Sequence, residues 1–399
     1  MMKGDLSAEL PMPDAEAQAH SERLCRVIRD EMAGAGGRIP FARYMELALY
    51  APGLGYYSAG RQKFGEGGDF VTAPEISPLF SRCVARQCAQ VLESPGGGDI
   101  LEFGAGSGVM ARDILAWLED ADALPGRYLI LESSADLRER QQALLQAHLP
   151  HLMTRITWLD HLPAQGFSGV ILANEVLDAM PVHRLVNTAA GLRELYVGCD
   201  GDGRFVYRDG PLSHVALEQY MNALFEETQP LSAYPPAYVF EVNLAAVGWI
   251  GSVGGLLDKG VALLVDYGYP RHEYYHPQRR DGTLKCFYHH RTHGDPLILA
   301  GLQDITAHVD FTAIAAAAHE QGLAVHGFTT QAGFLEACGI AHMAVFDEGD
   351  PLQNIALAQQ VRKLMLPGEM GELFKVMALT KGYAEPLLGF AARDCLDRL

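Results

Sequence analysis

Two runs in the sequence carry residue types that can do chemistry. The first is Ile100-Leu101-Glu102-Phe103-Gly104-Ala105-Gly106-Ser107-Gly108, an apolar stretch that meets an acid and then places glycine at alternate positions. Glycine there lets the backbone take positive φ and approach a ligand with no Cβ in the way. A helix beginning at Val109 would add free N–H groups and a partial positive charge that favour an anionic group. The second run is Ala173-Asn174-Glu175-Val176-Leu177-Asp178-Ala179-Met180-Pro181, which follows an apolar strand. Carboxylates at such a strand end can orient an amine or a guanidinium for attack. Glu175 and Asp178 are three apart and would share one face of a following turn. Helix capping is the competing reading for Asn174 and Asp178.

The glycine spacing discriminates between cofactors. A dinucleotide turn, G-x-G-x-x-G, requires glycine at position 109, where this chain has Val109. Glu102 also repels a pyrophosphate and suits a cationic amine. S-adenosyl-L-methionine carries an ammonium, a carboxylate for the N–H groups of the turn, and a ribose. Glu132 ends the next strand, 24 residues after Gly108, where a carboxylate can accept both ribose hydroxyls. On that feature alone, S-adenosyl-L-methionine and NAD are indistinguishable. Asp160, just beyond a third strand, is a candidate for the adenine amino group or for a simple turn cap.

The elements that must position these residues alternate from residue 99 onward. Strands over Asp99–Phe103, Arg127–Leu131, Arg155–Trp158 and Gly169–Ala173 are separated by helices over Val109–Leu118 and 134–148. That rhythm predicts an α/β fold with a doubly wound parallel sheet. Before it come a frayed tail (1–20), a helix from Ser21 to Gly36, a short helix from Pro40 to Leu49, a glycine-rich loop over 51–74, and a helix from Glu75 to Leu92. These 21–95 residues form an N-terminal helical and loop region covering the site. The cofactor-binding domain spans 96–270, with a hairpin insertion near 190–235 around Asp200-Gly201-Asp202-Gly203. Further strands are expected at Tyr238–Val242, Val261–Asp266, Leu323–Phe328 and Phe374–Leu379. Residues 271–310 read as an inserted lid, and 311–399 as the part that completes the sheet.

The 399 residues hold 31 Lys+Arg and 49 Asp+Glu, a net charge of −18. That balance argues against nucleic acid as a partner, since phosphate binding needs concentrated Lys and Arg. No apolar run is long enough to predict a membrane span. Seven cysteines, odd in number and scattered, are no disulfide framework; they imply a reducing compartment, with the cytoplasm as the expected location. Cys286-Phe287-Tyr288-His289-His290-Arg291-Thr292-His293 contains ligand types, but structural zinc sites need a second paired cluster, so no metal is expected. Cys83 and Cys88 read as buried helix thiols.

Together with these runs, Pro40-Phe41-Ala42-Arg43-Tyr44-Met45, Gly53-Leu54-Gly55-Tyr56-Tyr57, Gly68-Asp69-Phe70-Val71-Thr72-Ala73-Pro74-Glu75-Ile76-Ser77, Val265-Asp266-Tyr267-Gly268 and Gln303-Asp304-Ile305-Thr306-Ala307-His308-Val309-Asp310-Phe311 resemble the MidA family. These are S-adenosylmethionine-dependent methyltransferases that include the mitochondrial complex I assembly protein-arginine methyltransferase. The resemblance spans nearly all of residues 22–380. It implies a class I methyltransferase sheet, and cofactor roles for Glu102, Gly104, Ala105, Gly106, Gly108 and Glu132. It also implies that Thr72, Pro74 and Glu75 lie on a segment folding over the cofactor. The implied substrate is an arginine presented by a protein, for the mitochondrial member a complex I subunit. Glu175, with Asp178 or Glu75, would hold the guanidinium beside Asn174. A non-catalytic assembly factor and a small-molecule methyltransferase are the rival readings, and a homodimer is compatible with the sequence.

Overall fold

The computed structural model describes residues 10–59, 71–94, 97–163, 166–347 and 349–399. Residues 60–70 of the expected 51–74 loop, including Gly68-Asp69-Phe70, lie outside them. The chain divides into two compact units, each assembled from three chain segments. One comprises Val71–Leu177, Trp249–Pro270 and Asp310–Leu399; the other holds the described residues before 71, Asp178–Gly248 and Arg271–Val309. The expected 96–270 domain is therefore divided, because the strands after Asp178 build a separate sheet.

The first unit is organised by seven strands: β1 (Asp99–Phe103), β2 (Tyr128–Leu131), β3 (Ile156–Leu159), β4 (Phe167–Asn174), β5 (Leu257–Tyr269), β6 (Ala324–Thr330) and β7 (Phe374–Lys381). They lie in the order β6-β7-β5-β4-β1-β2-β3. The five from β5 to β3 are parallel, and β7 runs antiparallel to both its neighbours. Their sequences are near-continuous apolar runs because helices cover both faces. The core unites Ile100, Tyr128, Ile130, Val170 and Leu172 of the sheet with Phe80, Val84 and Ile114 of the helices Pro78–Leu92 and Val109–Asp120.

The helix expected from Glu75 to Leu92 is broken. Ser77 is extended (φ −159°), its Oγ accepts from Leu79 N, and Pro78 takes the first helical position. A proline is tolerated there because that N–H has no intrahelical partner. Thr72, Pro74 and Glu75 consequently sit on a separate short turn, Ala73–Ile76.

In the second unit, the first helix runs from Ala15 to Gly34, with Asp14 accepting from Ala17 N at 2.7 Å. It starts inside the stretch expected to be a frayed tail, since an aspartate cap precedes good helix formers. This helix and Phe41–Tyr50 accompany an antiparallel sheet of Arg38–Pro40, Gly191–Cys199, His183–Thr188 and Val239–Val242, with Phe205–Gly210 paired to Gly191–Cys199. The 271–310 segment, expected as an inserted lid, packs into the core of this unit. It contributes a three-stranded sheet (Lys285–Tyr288, Arg291–His293, Asp304–Thr306) whose Cys286 and Ile305 are fully buried with Ile28 and Phe41. Its histidines and arginines mask a period-two burial of Cys286 and Tyr288. All seven thiols are free, and Cys83 and Cys88 are fully buried. Among the described residues no helix is long and apolar enough to cross a membrane.

At the N-terminal ends of β1, β4 and β5 the strands touch through glycine. Gly169 has φ +134°, and a Cβ on it would lie 2.0 Å from Asp99 O; a Cβ on Gly260 would lie 1.9 Å from Gly169 O. Backbone cannot yield at those distances. Gly169→Ala is expected to destabilise the fold by about 3 kcal/mol, from the clash and the disfavoured φ together. Urea unfolding checks this; an unchanged midpoint would show that the strand ends have slack.

Candidate active site

The strand order reverses between β1 and β4, and at such a switch point a crevice opens at the carboxyl ends of the strands. The glycine turn lies there. Gly104, Gly106 and Gly108 have φ of +61°, +54° and +84°. All three therefore occupy the left-handed region that side chains disfavour. Gly104 N donates to Leu131 O at 3.0 Å, so the turn starts while still tied to the end of β2, and Gly108 caps the helix Val109–Asp120. Ala105 is buried beneath the turn.

Two carboxylates flank it, both buried. Glu102 is 1% exposed, and its Oε2 accepts from the Tyr128 hydroxyl at 2.8 Å. Burial pushes its pKa up to about 7; the Tyr128 bond opposes the shift and the neighbouring Glu132 charge adds to it. Glu132 Oε1 accepts from Ser134 N at 2.9 Å, and its Oε2 from Gln141 Nε2 at 3.3 Å. Asp160 lies just beyond β3, as expected. Its side chain is 78% exposed and pairs with Arg138 at 2.7 Å. Arg138 also donates to Glu132 O and Leu159 O, tying the ends of β2 and β3 together. Asp160 thus completes an ion pair on the surface, at the end of β3 where the sequence placed it.

At the end of β4, Asn174 Nδ2 lies 3.3 Å from Glu175 Oε1, while Asn174 Oδ1 is buried with no hydrogen-bond partner among the described residues. Glu175 has φ +52°. A non-glycine residue there costs on the order of 1 kcal/mol and persists only where its surroundings enforce it. Enforcement comes from β5: Glu175 N donates to Val265 O at 2.9 Å, and Asp266 Oδ2 accepts from Leu177 N at 2.9 Å. Residues 175–180 form turns, not the helix that a capping role for Asn174 or Asp178 would start. Asp178 belongs to the other unit, where it is buried and its carbonyl accepts from Ala307 N at 2.9 Å. On the short turn, Thr72 is the N-cap without a side-chain bond, Pro74 is buried, and half-buried Glu75 lies in the first turn, which packs against the helix Val109–Asp120.

Residues 83–329 match the family of S-adenosyl-L-methionine-dependent methyltransferases. The chain is 32% identical over 377 residues to the mitochondrial protein arginine methyltransferase NDUFAF7 of Danio rerio, covering 86% of this chain and 84% of that protein. Its Drosophila melanogaster homologue is 29% identical over 96% of this chain and 92% of its own length. A crystal structure from Burkholderia thailandensis, bound to S-adenosyl-homocysteine, superposes with a TM-score of 0.92 at 44% identity, over 98% of this chain and 100% of that one. The chain belongs to the MidA family of S-adenosylmethionine-dependent methyltransferases.

The cradle of this methyltransferase fits its cofactor. The turn at the β1 end has no side chain where the backbone must approach a ligand, and the adjoining carboxylates favour a cation and a diol over a phosphate. The relatives correct one expectation: the NDUFAF7 proteins are mitochondrial by name, so the cytoplasmic assignment falls. Free thiols report redox conditions, which do not identify a compartment. Sequence reasoning missed Tyr128, Arg138, Gln141, Trp158 and Asp266. Asp266 stood in a run of the resemblance without an assigned role, and the others are ordinary strand or helix residues by pattern; the packing of β1, β2, β3, β5 and the helix Ala135–His148 shows their contacts.

The raised pKa of Glu102 has a consequence for stability. Its folded value, about 7, exceeds the ordinary 4.5. Folding therefore takes up a proton between these values, and stability falls as pH rises through that window. The loss between pH 4.5 and 7.5 is expected to be about 3 kcal/mol, and Glu102→Gln should flatten that limb. Chemical denaturation at both pH values reads it; parallel profiles for the two proteins would show that Glu102 titrates normally.

Proposed function

We propose that this methyltransferase transfers a methyl group to a terminal nitrogen of an arginine in a protein substrate. The observation that carries the reading is the Asn174–Glu175 pair. It offers a carboxylate and a buried amide oxygen that lacks a donor, the acceptors a planar guanidinium can satisfy. The full-length relatives named protein arginine methyltransferases support the same substrate class. A net charge of −18 would draw a basic segment toward the enzyme.

When bound, S-adenosyl-L-methionine supplies an electrophilic methyl on a sulfonium sulfur. The N–H groups of the glycine turn and of the helix at Val109 are assigned to its carboxylate, Glu102 to its ammonium and Glu132 to its ribose diol. An arginine is protonated at physiological pH, so its nitrogens are poor nucleophiles until a carboxylate aligns and polarises one. Glu175 does this, with Asn174 fixing the carboxylate and accepting a second guanidinium N–H. As the N–C bond forms, the S–C electron pair returns to sulfur and the excess proton leaves the nitrogen by way of Glu175 to water. Glu75 is the further carboxylate on this unit; Asp178 is assigned no part in the pair.

Incubating the enzyme with labelled donor and candidate proteins, a complex I subunit first, should place label in methylarginine on hydrolysis. Label confined to small molecules would refute the protein substrate. Glu175→Gln should lower turnover by about 100-fold or more while leaving affinity for S-adenosyl-homocysteine within about twofold. Equal loss of both would remove Glu175 from the substrate side.

A further inference from the structure

A glutamine in the middle of the helix Ala135–His148 is fully buried, although that helix is otherwise largely polar on its exposed side. Burying an amide is costly unless its hydrogen bonds are met. Gln141 meets them with three groups from separate elements. Its Nε2 donates to Gly106 O at 2.9 Å and to Glu132 Oε2 at 3.3 Å, and its Oε1 accepts from Trp158 Nε1 at 2.9 Å. The network dictates which end is which. An indole N–H can only donate, and a carbonyl and a carboxylate can only accept, so the oxygen faces Trp158 and the NH2 faces the turn.

We infer that Gln141 is a positioning residue for the cofactor, joining the glycine turn to the ribose carboxylate so that both are set before the ligand arrives. This rests on the S-adenosyl-L-methionine site described above. Two consequences of its bonds argue for it. Glu132 is held at both oxygens, by Ser134 N and by Gln141, which fixes the carboxylate in one rotamer. In a trans peptide the C=O and the following N–H point opposite ways. Holding Gly106 O toward Gln141 therefore turns the Ser107 N–H away from the helix Ala135–His148, fixing the direction in which the turn offers it. The packing is equally close: a Cβ on Gly108 would meet Gln141 Cγ at 3.2 Å. Preorganised donors and acceptors spare the ligand the cost of ordering them.

Gln141→Glu keeps the shape but sets a carboxylate against Gly106 O and Glu132, whereas Gln141→Met keeps the length and removes every bond. Each is expected to weaken S-adenosyl-homocysteine binding roughly 10- to 100-fold by calorimetry, and to raise KM for the donor, with kcat at saturating donor within about threefold. In Glu132→Ala background the further loss from Gln141→Met should shrink to about twofold or less, because the carboxylate it positions is gone. Additive losses, or unchanged affinity in variants whose thermal unfolding has dropped, would reduce Gln141 to a structural residue and overturn the inference. If one variant fails to fold, the other carries the measurement. Wild-type protein that binds no S-adenosyl-homocysteine would instead refute the cofactor reading on which the inference rests.

Discussion

The parallel register of β1 against β4, with the chain leaving them in opposite directions, is the constraint on which the site depends. Phe103 pairs with Ala173, so the glycine turn and the Asn174-Glu175 corner begin at the same level of the sheet. At the opposite ends of these strands the backbones meet with no room for a Cβ at Gly169. At the carboxyl ends the strands diverge instead, since a sheet whose connections split to both faces cannot cover its own switch point. The energetic burden and the chemical opening thus sit at opposite ends of the same strands, which lets either change without the other.

Strand existence was legible because the pattern was redundant. β1, β2 and β4 are short apolar runs bounded by glycine or charge, and both-face burial leaves them no alternation to blur. The three glycines were legible for a different reason: few structural needs other than positive φ put glycine at 104, 106 and 108. What failed was long-range. Nothing local marks Asp178 as the point where the chain passes to a second sheet, so a single 96–270 domain was the natural inference. The sequence placed the backbone of Asp160 after β3 but gave no sign of its ion pair with Arg138 on the helix Ala135–His148. The antiparallel β7, placed between β5 and β6, likewise has no signature in its own residues.

Burial sets the electrostatics of the flanking acids. Glu102 and Glu132 are both nearly inaccessible; Glu102 accepts from a phenol, and Glu132 from a backbone N–H and an amide. A neutral donor lowers the cost of a buried carboxylate without cancelling its charge. An arginine in the same place would settle the charge permanently and leave less for a ligand. A neutral phenol donor leaves the Glu102 carboxylate able to respond to a cation, and the rise in its pKa follows first from its burial.

The corner after β4 follows the same logic in backbone terms. Glu175 could relax to an ordinary conformation only by giving up its N–H bond to Val265 O, and Leu177 is held in turn by Asp266 on the same strand, β5. The strain at Glu175 is therefore maintained by β5, a strand distant in sequence that carries the Val265-Asp266 pair at its outer end. In this chain the Val265-Asp266 pair thus holds the Asn174-Glu175 corner through a backbone carbonyl and a carboxylate. Its contribution is to hold a carboxylate at an angle that the carboxylate's own backbone resists. A site residue of this kind is recognisable only once the neighbouring strand is known.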